Sequence, residues 1–469
     1  MKANEDTSAA RPIVTIAGTT KGLPAAFDAI FAPYGGVAKV IPSGSKVYVK
    51  PNGVQFFPGQ HTDPAVVDAL LGYLRDHGYT RLALMENASQ GVATRIVFAV
   101  NGYAGIAKRH GAQTVYLDEG PTVHYTLDGE DEPIRISRRL FEAFIDPARR
   151  PGNFYLSLPK LKTHSMTTVT LGVKNQQAFP IHADRMHFHN HETLHPRLAR
   201  LYRMVQPDFC IIEGVTAIFN GHLPAPSLLK ESSVQMDILI GGRDTVAVDT
   251  VGCKALGYAI DEVEHLRLAA EWGLGEGRLD RIEVIGDLGR FQTRYPFALL
   301  RRFPADVRIV EGHERACVEG CKGNTECALE IIGNTYRAKG GFTIVFGKGF
   351  EDGDLEGLPG DILVVGNCAV SERGADLQRR YPDRRVIEVD AHNDIRGIIA
   401  GVATMMKVKP MQMVPLSPLR SGWLLLEAKL HGLNSRMSPL LGGPAPTGLS
   451  ERERHWYREG GGRSNGSSG

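Results

Sequence analysis

Residues 46–87 read KVYVKPNGVQFFPGQHTDPAVVDALLGYLRDHGYTRLALMEN. The stretch begins with a predicted strand, KVYVKPN, and ends with another, RLALMEN. Between them DPAVVDALLGYLRDHGY repeats apolar residues at the helical spacing of about 3.6 residues. Asp63 suits the N-cap of this helix and Pro64 suits its first turn. A strand, a helix and a strand in this order predict a parallel βαβ unit.

The same alternation continues on both sides of this unit. Further strand candidates are RPIVTIAG (11–18), TVYLDEG (114–120), NFYLSLPKLK (153–162), FCIIEGV (209–215), VQMDILIGG (234–242) and RIEVIGD (281–287). Strands that alternate with amphipathic helices predict an α/β fold with a mostly parallel, doubly wound sheet. Ligands of such sheets bind at the carboxyl ends of the strands, so a site is expected in the loops that follow them.

A second, smaller α/β unit follows, in which VRIVEG, FTIVFG, DILVVGNC and RVIEVDAH are the predicted strands. The predicted domains are a main α/β domain over residues 1–300, a Cys-containing α/β domain over 301–410 and a C-terminal extension over 411–469. The extension contains a short amphipathic helix, WLLLEAKLHGL, which favours docking or dimerisation over membrane anchoring. Its Gly- and Ser-rich end is typical of a flexible tail.

The composition is that of an ordinary globular protein. The chain has 469 residues, with 54 Lys and Arg against 52 Asp and Glu, and 42% of its residues are hydrophobic. A net charge of +2 gives no general attraction to nucleic acid, so any anion binding has to be local. No apolar run is long enough to span a bilayer, and the first residues lack a signal-peptide core. These features predict a cytoplasmic protein with reduced cysteines.

Cationic side chains gather between residues 158 and 202 and in the loop after the second strand. Lys160, Lys162 and His164 alternate along a strand end, so we expect them on one face. Several cationic groups that face one cavity are costly unless an anion neutralises them, which favours a carboxylate or phosphate ligand. The predicted substrate-binding residues are Lys50, Asn52, Lys160, Lys174, Asn175 and Arg185.

Histidines are concentrated in the same region. His187, His189 and His191 alternate, so in an extended chain they could share a face and bind a metal through neutral imidazoles. Proton transfer or hydrogen bonding to a substrate is the preferred interpretation of this run. The predicted catalytic residues are His164, Lys162, His187 and His191.

A further helix is predicted in GGRDTVAVDTVGCKALGY. Asp244 suits its N-cap, and Asp249 lies on the same helix, from which it could reach the lysine cluster. Cys253 on this helix and Cys210 in a strand are interpreted as small buried apolar residues.

The other four of the 6 cysteines lie in the second unit. Cys317 and Cys321 would share a helix face, whereas Cys327 lies about 240° further around. We expect residues 322–325 to break the helix and to place Cys327 in the first turn of a new one, where the dipole favours a thiolate. Cys368 follows a predicted buried strand, at the carboxyl edge of the second sheet.

These four thiols, Cys317, Cys321, Cys327 and Cys368, predict a [4Fe-4S] cluster. A zinc ion bound by four thiolates is the alternative, because soft thiolates bind both metals. Coincidental or redox-active thiols are the third interpretation. Whether three or four cysteines bind stays open: with three, one iron would be open to substrate, and with four the cluster would suit electron transfer.

The order of these motifs resembles the family called domain of unknown function 362. The resemblance covers roughly residues 40–275, and its motifs are KPN, TDP, LPKLKTH, VTLGVKN, IIEGVTAIFNGH and GGRDTVAVDTVGCKALGY. The resemblance implies iron-sulfur binding, since members are commonly described so and many look like fusions to a ferredoxin-type module. The chain lacks the repeated C-x2-C-x2-C-x3-C-P pattern of that module, so the ferredoxin part does not carry over. At fold level only, the chain is also similar to the nickel-pincer lactate racemase.

Residues and resemblance together predict an iron-sulfur enzyme that acts on a small anionic metabolite, a carboxylate or phosphate, between the two α/β units. A reductase is the first interpretation and a cluster-dependent dehydratase or lyase the second. Two other classes stay open: a racemase-like enzyme with a lysine-anchored metal cofactor, and a non-catalytic metal-binding protein. Expected partners are the metabolite, an electron donor such as ferredoxin or flavodoxin, and a second copy of the chain. Nucleic acid and a membrane span are not expected.

Overall fold

The computed structural model describes residues 10–88, 92–190, 192–336, 338–409 and 412–434. Its strands are β1 (Ile13–Gly18), β2 (Lys46–Pro51), β3 (Leu82–Glu86), β4 (Gln113–Tyr116), β5 (Thr122–Thr126), β6 (Pro133–Ser137), β7 (Asn153–Leu158), β8 (Lys160–His164), β9 (Thr168–Thr170), β10 (Phe209–Ile218), β11 (Ser233–Gly242), β12 (Glu283–Ile285), β13 (Arg308–Glu311), β14 (Phe342–Phe346), β15 (Asp361–Val365) and β16 (Val386–Val389).

The helices cover the sheets and connect the strands. They are α1 (Leu23–Phe31), α2 (Val37–Val40), α3 (Pro64–Asp76), α4 (Thr94–Val100), α5 (Tyr103–Arg109), α6 (Arg138–Leu140), α7 (His182–His187), α8 (Leu194–Met204), α9 (Thr245–Leu256), α10 (Glu264–Glu271), α11 (Cys321–Tyr336), α12 (Asn367–Ala369), α13 (Ala375–Arg380), α14 (Ile395–Met405) and α15 (Pro418–Leu430).

The main domain is built on a ten-stranded sheet in the order β12-β1-β11-β10-β7-β2-β3-β4, with β8 and β9 paired beside β10. The run from β10 to β4 is parallel, whereas β11 pairs antiparallel with both β1 and β10. Separate apolar clusters pack against the sheet and include residues of α1 and α3 in one and of α9 and α10 in another. The predicted α/β fold with a mostly parallel sheet is confirmed.

The unit β2-α3-β3 forms as its sequence predicts. The Asp63 side chain accepts a hydrogen bond from the Ala65 N–H at 2.8 Å, and Pro64 begins α3. Leu70 and Leu74 are among the residues that this helix buries against the sheet. The loop between β2 and α3 therefore lies at the carboxyl edge, beside the end of the parallel neighbour β3.

The second domain has a four-stranded sheet in the order β13-β14-β15-β16, and every neighbouring pair is parallel. Helices α11 and α14 share one apolar cluster with this sheet. The predicted boundary at residue 300 falls between β12 and β13.

One predicted strand is two in the structure. The predicted strand at residues 153–162 is interrupted at Pro159, which has no N–H to donate to a sheet. Strand β7 therefore ends at Leu158, and β8 begins as a separate strand at Lys160. Strand β8 then pairs with β10 and β9, and its register against β10 shifts between Lys160 and Lys162. This shift sends the side chains of these two lysines to different cavities.

The C-terminal helix α15 packs on α4 of the same chain. Leu425 and Ala428 join one apolar cluster with Ile96, and Glu427 pairs with Arg95 at 2.8 Å. The predicted flexible tail from residue 435 onward lies outside the described residues. Over the ranges described, no helix has both the length and the apolar character that a membrane crossing requires.

Candidate active site

An open cavity of about 80 Å³ lies at the carboxyl ends of β2 and β3, between the main domain and helices α11 and α14. Four cationic side chains and three imidazoles line it, and Glu86 is the one acidic residue that the described ranges contribute to its wall. The cationic groups and imidazoles are Lys50, Lys162, Lys174, Arg185, His164, His189 and His222. The edge of the sheet therefore carries a strongly cationic pocket in a chain of nearly zero net charge.

Lys50 and Glu86 form a buried ion pair in the cavity wall. The Lys50 Nζ lies 2.9 Å from Oε1 and 3.0 Å from Oε2 of Glu86. Burial lowers the pKa of Lys50, and the neighbouring carboxylate opposes this shift. Glu86 also accepts hydrogen bonds from the backbone N–H groups of Gly53 at 2.7 Å and Asn87 at 2.8 Å. This pair is neutral overall and fully hydrogen-bonded, so it supports the cavity more than it attracts an anion.

Asn175 links this ion pair to the next turn of chain. Its Oδ1 accepts from the Lys50 Nζ at 3.0 Å, and its Nδ2 donates to the Ser157 Oγ at 3.1 Å. Lys50 belongs to β2, Ser157 to β7, and Asn175 to a short 3-10 turn, Lys174–Ala178. Asn175 therefore fixes the position of that turn against the sheet.

Lys174 opens the 3-10 turn and is buried in the cavity wall. Burial and, to a smaller extent, the positive charge of Arg185 together lower the pKa of Lys174 to about 7. Its Nζ donates to the Gln177 Oε1 at 2.7 Å. At neutral pH this side chain is therefore close to its titration midpoint, and the charge of the cavity changes with pH.

Arg185, on α7, supplies a permanent charge. Its guanidinium donates to the carbonyl of Ala178 at 2.9 Å and to that of Ala88 at 3.2 Å. Burial lowers the pKa of Arg185 to about 10, so the group is still cationic at neutral pH. Its Nε has no partner among the described residues. An incoming anion would find an unused charged donor here.

His164 and His222 stack face to face beside these cations. Their ring centroids lie 3.8 Å apart and the planes differ by 6°. Burial lowers the pKa of both imidazoles well below the usual value, so both rings are neutral. The Met166 backbone N–H donates to the His164 Nδ1 at 3.1 Å, so the ring proton of His164 is on Nε2. His164 is therefore set up as a hydrogen-bond or proton donor.

His189 has the opposite tautomer. Its Nδ1 contacts the carbonyl oxygen of Glu319, which can only accept, so Nδ1 carries the proton and Nε2 has a lone pair. Burial lowers the pKa of His189 to about 3, with Lys174 as the next cause. The cavity thus contains one neutral imidazole that can accept a proton and another that can donate one.

Lys162 lies between this cavity and the second domain. Its Nζ donates to the backbone oxygen of Gln60 at 2.7 Å. Burial lowers the pKa of Lys162 well below the usual range, and the charges of Lys174 and Lys160 add to the effect. The thiol of Cys327 is near enough to act electrostatically on this amine. A bound anion would oppose this shift and favour the protonated form of Lys162.

Asp249 reaches the lysine cluster through the backbone. Its Oδ1 accepts from the Gly172 N–H at 2.7 Å and its Oδ2 from the Val173 N–H at 2.8 Å, directly before Lys174. Burial raises the pKa of Asp249 to about 7, and the two backbone N–H groups oppose that shift. Asp249 therefore positions the turn that carries Lys174, without lining the cavity.

We expect Asp249→Ala to lower the free energy of unfolding by about 2 kcal/mol, because two buried N–H groups lose their acceptor. Urea unfolding of the whole chain measures the change. Asp383→Ala, at an exposed position, is the control and should change the stability by less than about 0.5 kcal/mol. Equal stabilities of the two variants would contradict the role given to Asp249.

Lys160 was predicted to share a face with Lys162 and His164, and this prediction is wrong. Its Nζ pairs with the buried Glu213 at 2.6 Å and it lines a different cavity together with His61. The cause is the register shift after Pro159 in β8. Glu213 also accepts from the N–H groups of Asp63 and Val215, so this pair is a structural one.

The histidine run is not the extended segment that the alternation suggested. His187 ends helix α7 and is absent from the described lining of the cavity, while His189 follows the helix and lines it. Burial lowers the pKa of His187 to about 3. A helical turn at His187 breaks the two-residue alternation, so His187 and His189 face different surroundings. His191, also predicted to be catalytic, lies outside the described residues.

The predicted break between Cys321 and Cys327 does not occur, because α11 runs unbroken from Cys321. Cys327 is therefore in the second turn, on another face, and lines a separate apolar cavity. The other three thiols lie near each other, because Cys368 acts electrostatically to raise the pKa of both Cys317 and Cys321, and Cys317 does the same to Cys321. Burial raises the pKa of Cys317, and it raises the pKa of Cys321 to about 12.

The four-thiolate set predicted for a cluster or a zinc ion therefore does not fit, because Cys327 is separated from the other three. Across the described ranges, no three His, Cys, Asp or Glu side chains are arranged to hold a metal ion. A single zinc ion needs its sulfur ligands within about 4 Å of each other, since each Zn–S bond is about 2.3 Å. The thiols of Cys317, Cys321 and Cys368 are grouped without forming such a set.

Three ionisable residues of the cavity, Glu86, His189 and His222, were missing from the predicted catalytic and binding residues, although His189 was part of the histidine run. Glu86 ends an otherwise apolar strand, β3, which lies beside the strand that carries Lys50. A carboxylate at the end of a buried strand needs a cationic partner, and this signal could have pointed to Lys50. His222 lies in a turn with Asn220 and Gly221, both at positive φ. Nothing in the sequence places His222 against His164, because their contact depends on how the turn after β10 folds against the end of β8.

The main domain matches a known family. Residues 47–254 match the family model described as Domain of unknown function (DUF362). The match confirms the family resemblance over this segment, which is less than half of the chain. It contains the cavity residues from Lys50 to His222 and ends before the second domain with its four cysteines. No curated protein and no solved structure matches the chain.

Proposed function

We propose that this protein is an enzyme that binds a small anionic organic metabolite, a carboxylate in the first instance, and transfers protons to or from it. The observation that carries the proposal is the excess of cationic and imidazole groups around one open cavity. The only carboxylate lining it within the described ranges, that of Glu86, is already paired with Lys50. An anion is therefore the ligand that stabilises this group of charges best.

Arg185 and Lys174 are the groups proposed to hold the anion. Arg185 is cationic at neutral pH and has an unused N–H, and Lys174 takes up a proton readily near pH 7. A bound carboxylate raises the pKa of nearby amines, so Lys174, whose pKa is about 7, gains charge on binding. Binding of the anion and uptake of protons are thus linked.

The two neutral imidazoles are proposed to move the proton. His189 offers an unprotonated Nε2, and His164 offers an Nε2–H. An acceptor and a donor on the walls of one cavity suit removal of a proton from carbon beside a carbonyl, with stabilisation of the oxygen that gains charge. Isomerisation, racemisation and elimination of water all use this step. A lyase or a racemase-like reaction is therefore within the proposal.

The binding step can be tested with propionate, whose charge is constant across the pH range used. Since only the protonated form of Lys174 attracts the anion, affinity should fall about tenfold from pH 6 to pH 8 for a group with a pKa of about 7. Isothermal titration calorimetry at several pH values measures the affinity. Buffers of different ionisation enthalpy should also reveal proton uptake on binding.

Lys174→Met should bind propionate more weakly and with no dependence on pH between 6 and 8. Lys230→Ala, which removes an exposed lysine elsewhere in the main domain, is the matched control and should behave as the unaltered chain. If the unaltered chain does not bind propionate, or binds it equally at both pH values, the anion site is not where we propose it.

As a second candidate function we propose iron-sulfur electron transfer, a reductase reaction fed by a ferredoxin or flavodoxin, for which the three grouped thiols would have to move closer together around the cluster. The supporting observation is the grouping of Cys317, Cys321 and Cys368 beside Glu319, whose carbonyl contacts His189 of the cavity. When bound, a cluster would deliver electrons one at a time. No disulfide joins any of the 6 cysteines, all of which lie in described ranges. This suits a reducing compartment such as the cytoplasm, where we place the activity.

Iron and sulfide analysis of anaerobically purified protein tests this candidate. We expect about four iron and four sulfide per chain, as for a [4Fe-4S] cluster, and loss of most of both in Cys368→Ala. Cys327→Ala is the matched control and should keep its iron, because Cys327 is on another helix face. Absence of iron and sulfide from the unaltered chain would eliminate the reductase and leave the acid-base proposal standing.

A further inference from the structure

A second cavity of about 70 Å³ adjoins the cationic one. Both cavities are lined by Asn324 and Ile395, so they meet at the junction of α11 and α14. Most of the residues that line the cationic cavity are polar or charged. The second is lined mainly by apolar side chains, among them Phe56, Phe57, Ile331, Ile332, Ile399 and Met413.

Gln60 connects the two cavities. Its backbone oxygen accepts from the Lys162 Nζ at 2.7 Å, and Lys162 lines the cationic cavity. Its fully buried side chain lines the apolar cavity, where Nε2 donates to the Pro224 carbonyl at 3.1 Å. Its Oε1 has no partner among the described residues. Gln60 thus lines the apolar cavity and holds Lys162 of the cationic one, so the two cavities are neighbours here as well as at Asn324 and Ile395.

We propose that the metabolite is a carboxylate with an apolar body of about the size of a phenyl ring, and that the apolar cavity holds this body. The inference rests on the proposed function, which places the carboxylate beside Lys174 and Arg185. It adds the class of substrate: an aryl or branched alkyl acid in preference to a short polar acid. Apolar surface left open to water is unfavourable, and a ring that covers it gains affinity in proportion to the area buried.

Binding of two inert acids tests the inference, and the probes are propionate and 3-phenylpropionate. We expect 3-phenylpropionate to bind the unaltered chain about 30-fold more tightly, as expected when a ring is transferred from water to an apolar wall. Ile331→Trp, at a half-buried position in this wall, should reduce the ratio to less than about threefold and leave propionate binding unchanged. Ile399→Trp, on the opposite helix α14, should do the same and serves if the first variant fails to fold.

Ile387→Trp is the matched control, because Ile387 is equally half-buried on β16 and lines neither cavity. It should keep the full preference for the aryl acid. Equal binding of the two acids by the unaltered chain, or a preference that survives both tryptophan variants, would overturn the inference while the anion site stands. If neither acid binds, the proposed function itself fails.

Discussion

Lys50→Ala is expected to lower the free energy of unfolding by about 3–5 kcal/mol, the usual effect of removing one partner of a buried ion pair. Lys50 and Glu86 are both almost fully buried, and their charged atoms lie 2.9 Å apart. Without the ammonium group, the Glu86 carboxylate would have to remain charged without a counterion or take up a proton in the folded state. Asn175 would also lose the donor to its Oδ1. Urea unfolding at pH 7 measures the change.

Two comparisons separate this effect from a general loss of packing. The double variant Lys50→Met with Glu86→Gln keeps the volume and removes both charges, so it should recover at least about half of the loss. Arg267→Ala breaks an exposed pair with Glu271 on one helix face and should change the stability by less than about 1 kcal/mol. If Lys50→Ala were no more destabilising than Arg267→Ala, the buried pair would have no structural role.

The parts of the fold that the sequence predicts are those that depend on local pattern. The helix after Asp63 begins where its cap and Pro64 indicate, and β2 and β3 lie on either side of it along the chain. Lys50 lines the cavity because it lies near the carboxyl end of β2, and the carboxyl ends of parallel strands meet at one edge. These placements need only periodicity and the rule for parallel sheets.

The placements that failed depend on contacts between distant segments. Lys160 and Lys162 alternate in sequence, yet a shift of register against β10 sends Lys160 to Glu213. The pairing of Lys50 with Glu86 follows from the adjacency of two strands, which sequence spacing alone does not give. The stack of His164 on His222 brings together the last residue of β8 and a residue of the turn that follows β10.

The cysteines of α11 were also misplaced because a contact between distant segments decided the local structure. Gly323 and Asn324 suggested a break, but a Cβ on Gly323 would lie only 2.0 Å from the Val318 oxygen, so glycine permits the close entry of the chain into α11. Asn324 donates to the Asn393 Oδ1 at 2.6 Å, which is a tertiary contact in place of a cap. The helix therefore continues, and Cys327 turns toward Lys162 and the apolar cavity.

His189→Ala is expected to lower the rate of proton exchange catalysed by this protein by about 10²–10⁴-fold, the usual contribution of a positioned general base. The probe reaction is exchange of the C3 hydrogens of phenylpyruvate in deuterated water, followed by proton NMR. The carbonyl group at C2 makes these hydrogens acidic, and the carboxylate provides the anion for Arg185. His189 is the expected acceptor because its Nδ1 is held by the Glu319 carbonyl, which leaves Nε2 unprotonated.

The pH dependence distinguishes this role from a structural one. At low concentrations of phenylpyruvate the rate reports the free protein, in which Lys174 titrates near pH 7 and must be protonated to attract the anion. Exchange should therefore slow as the pH rises above about 7, and Lys174→Met should remove this dependence. His124→Ala, at an exposed position on β5, is the control and should exchange at the original rate. A folded His189→Ala protein that exchanged at that rate would place the proton acceptor elsewhere in the cavity.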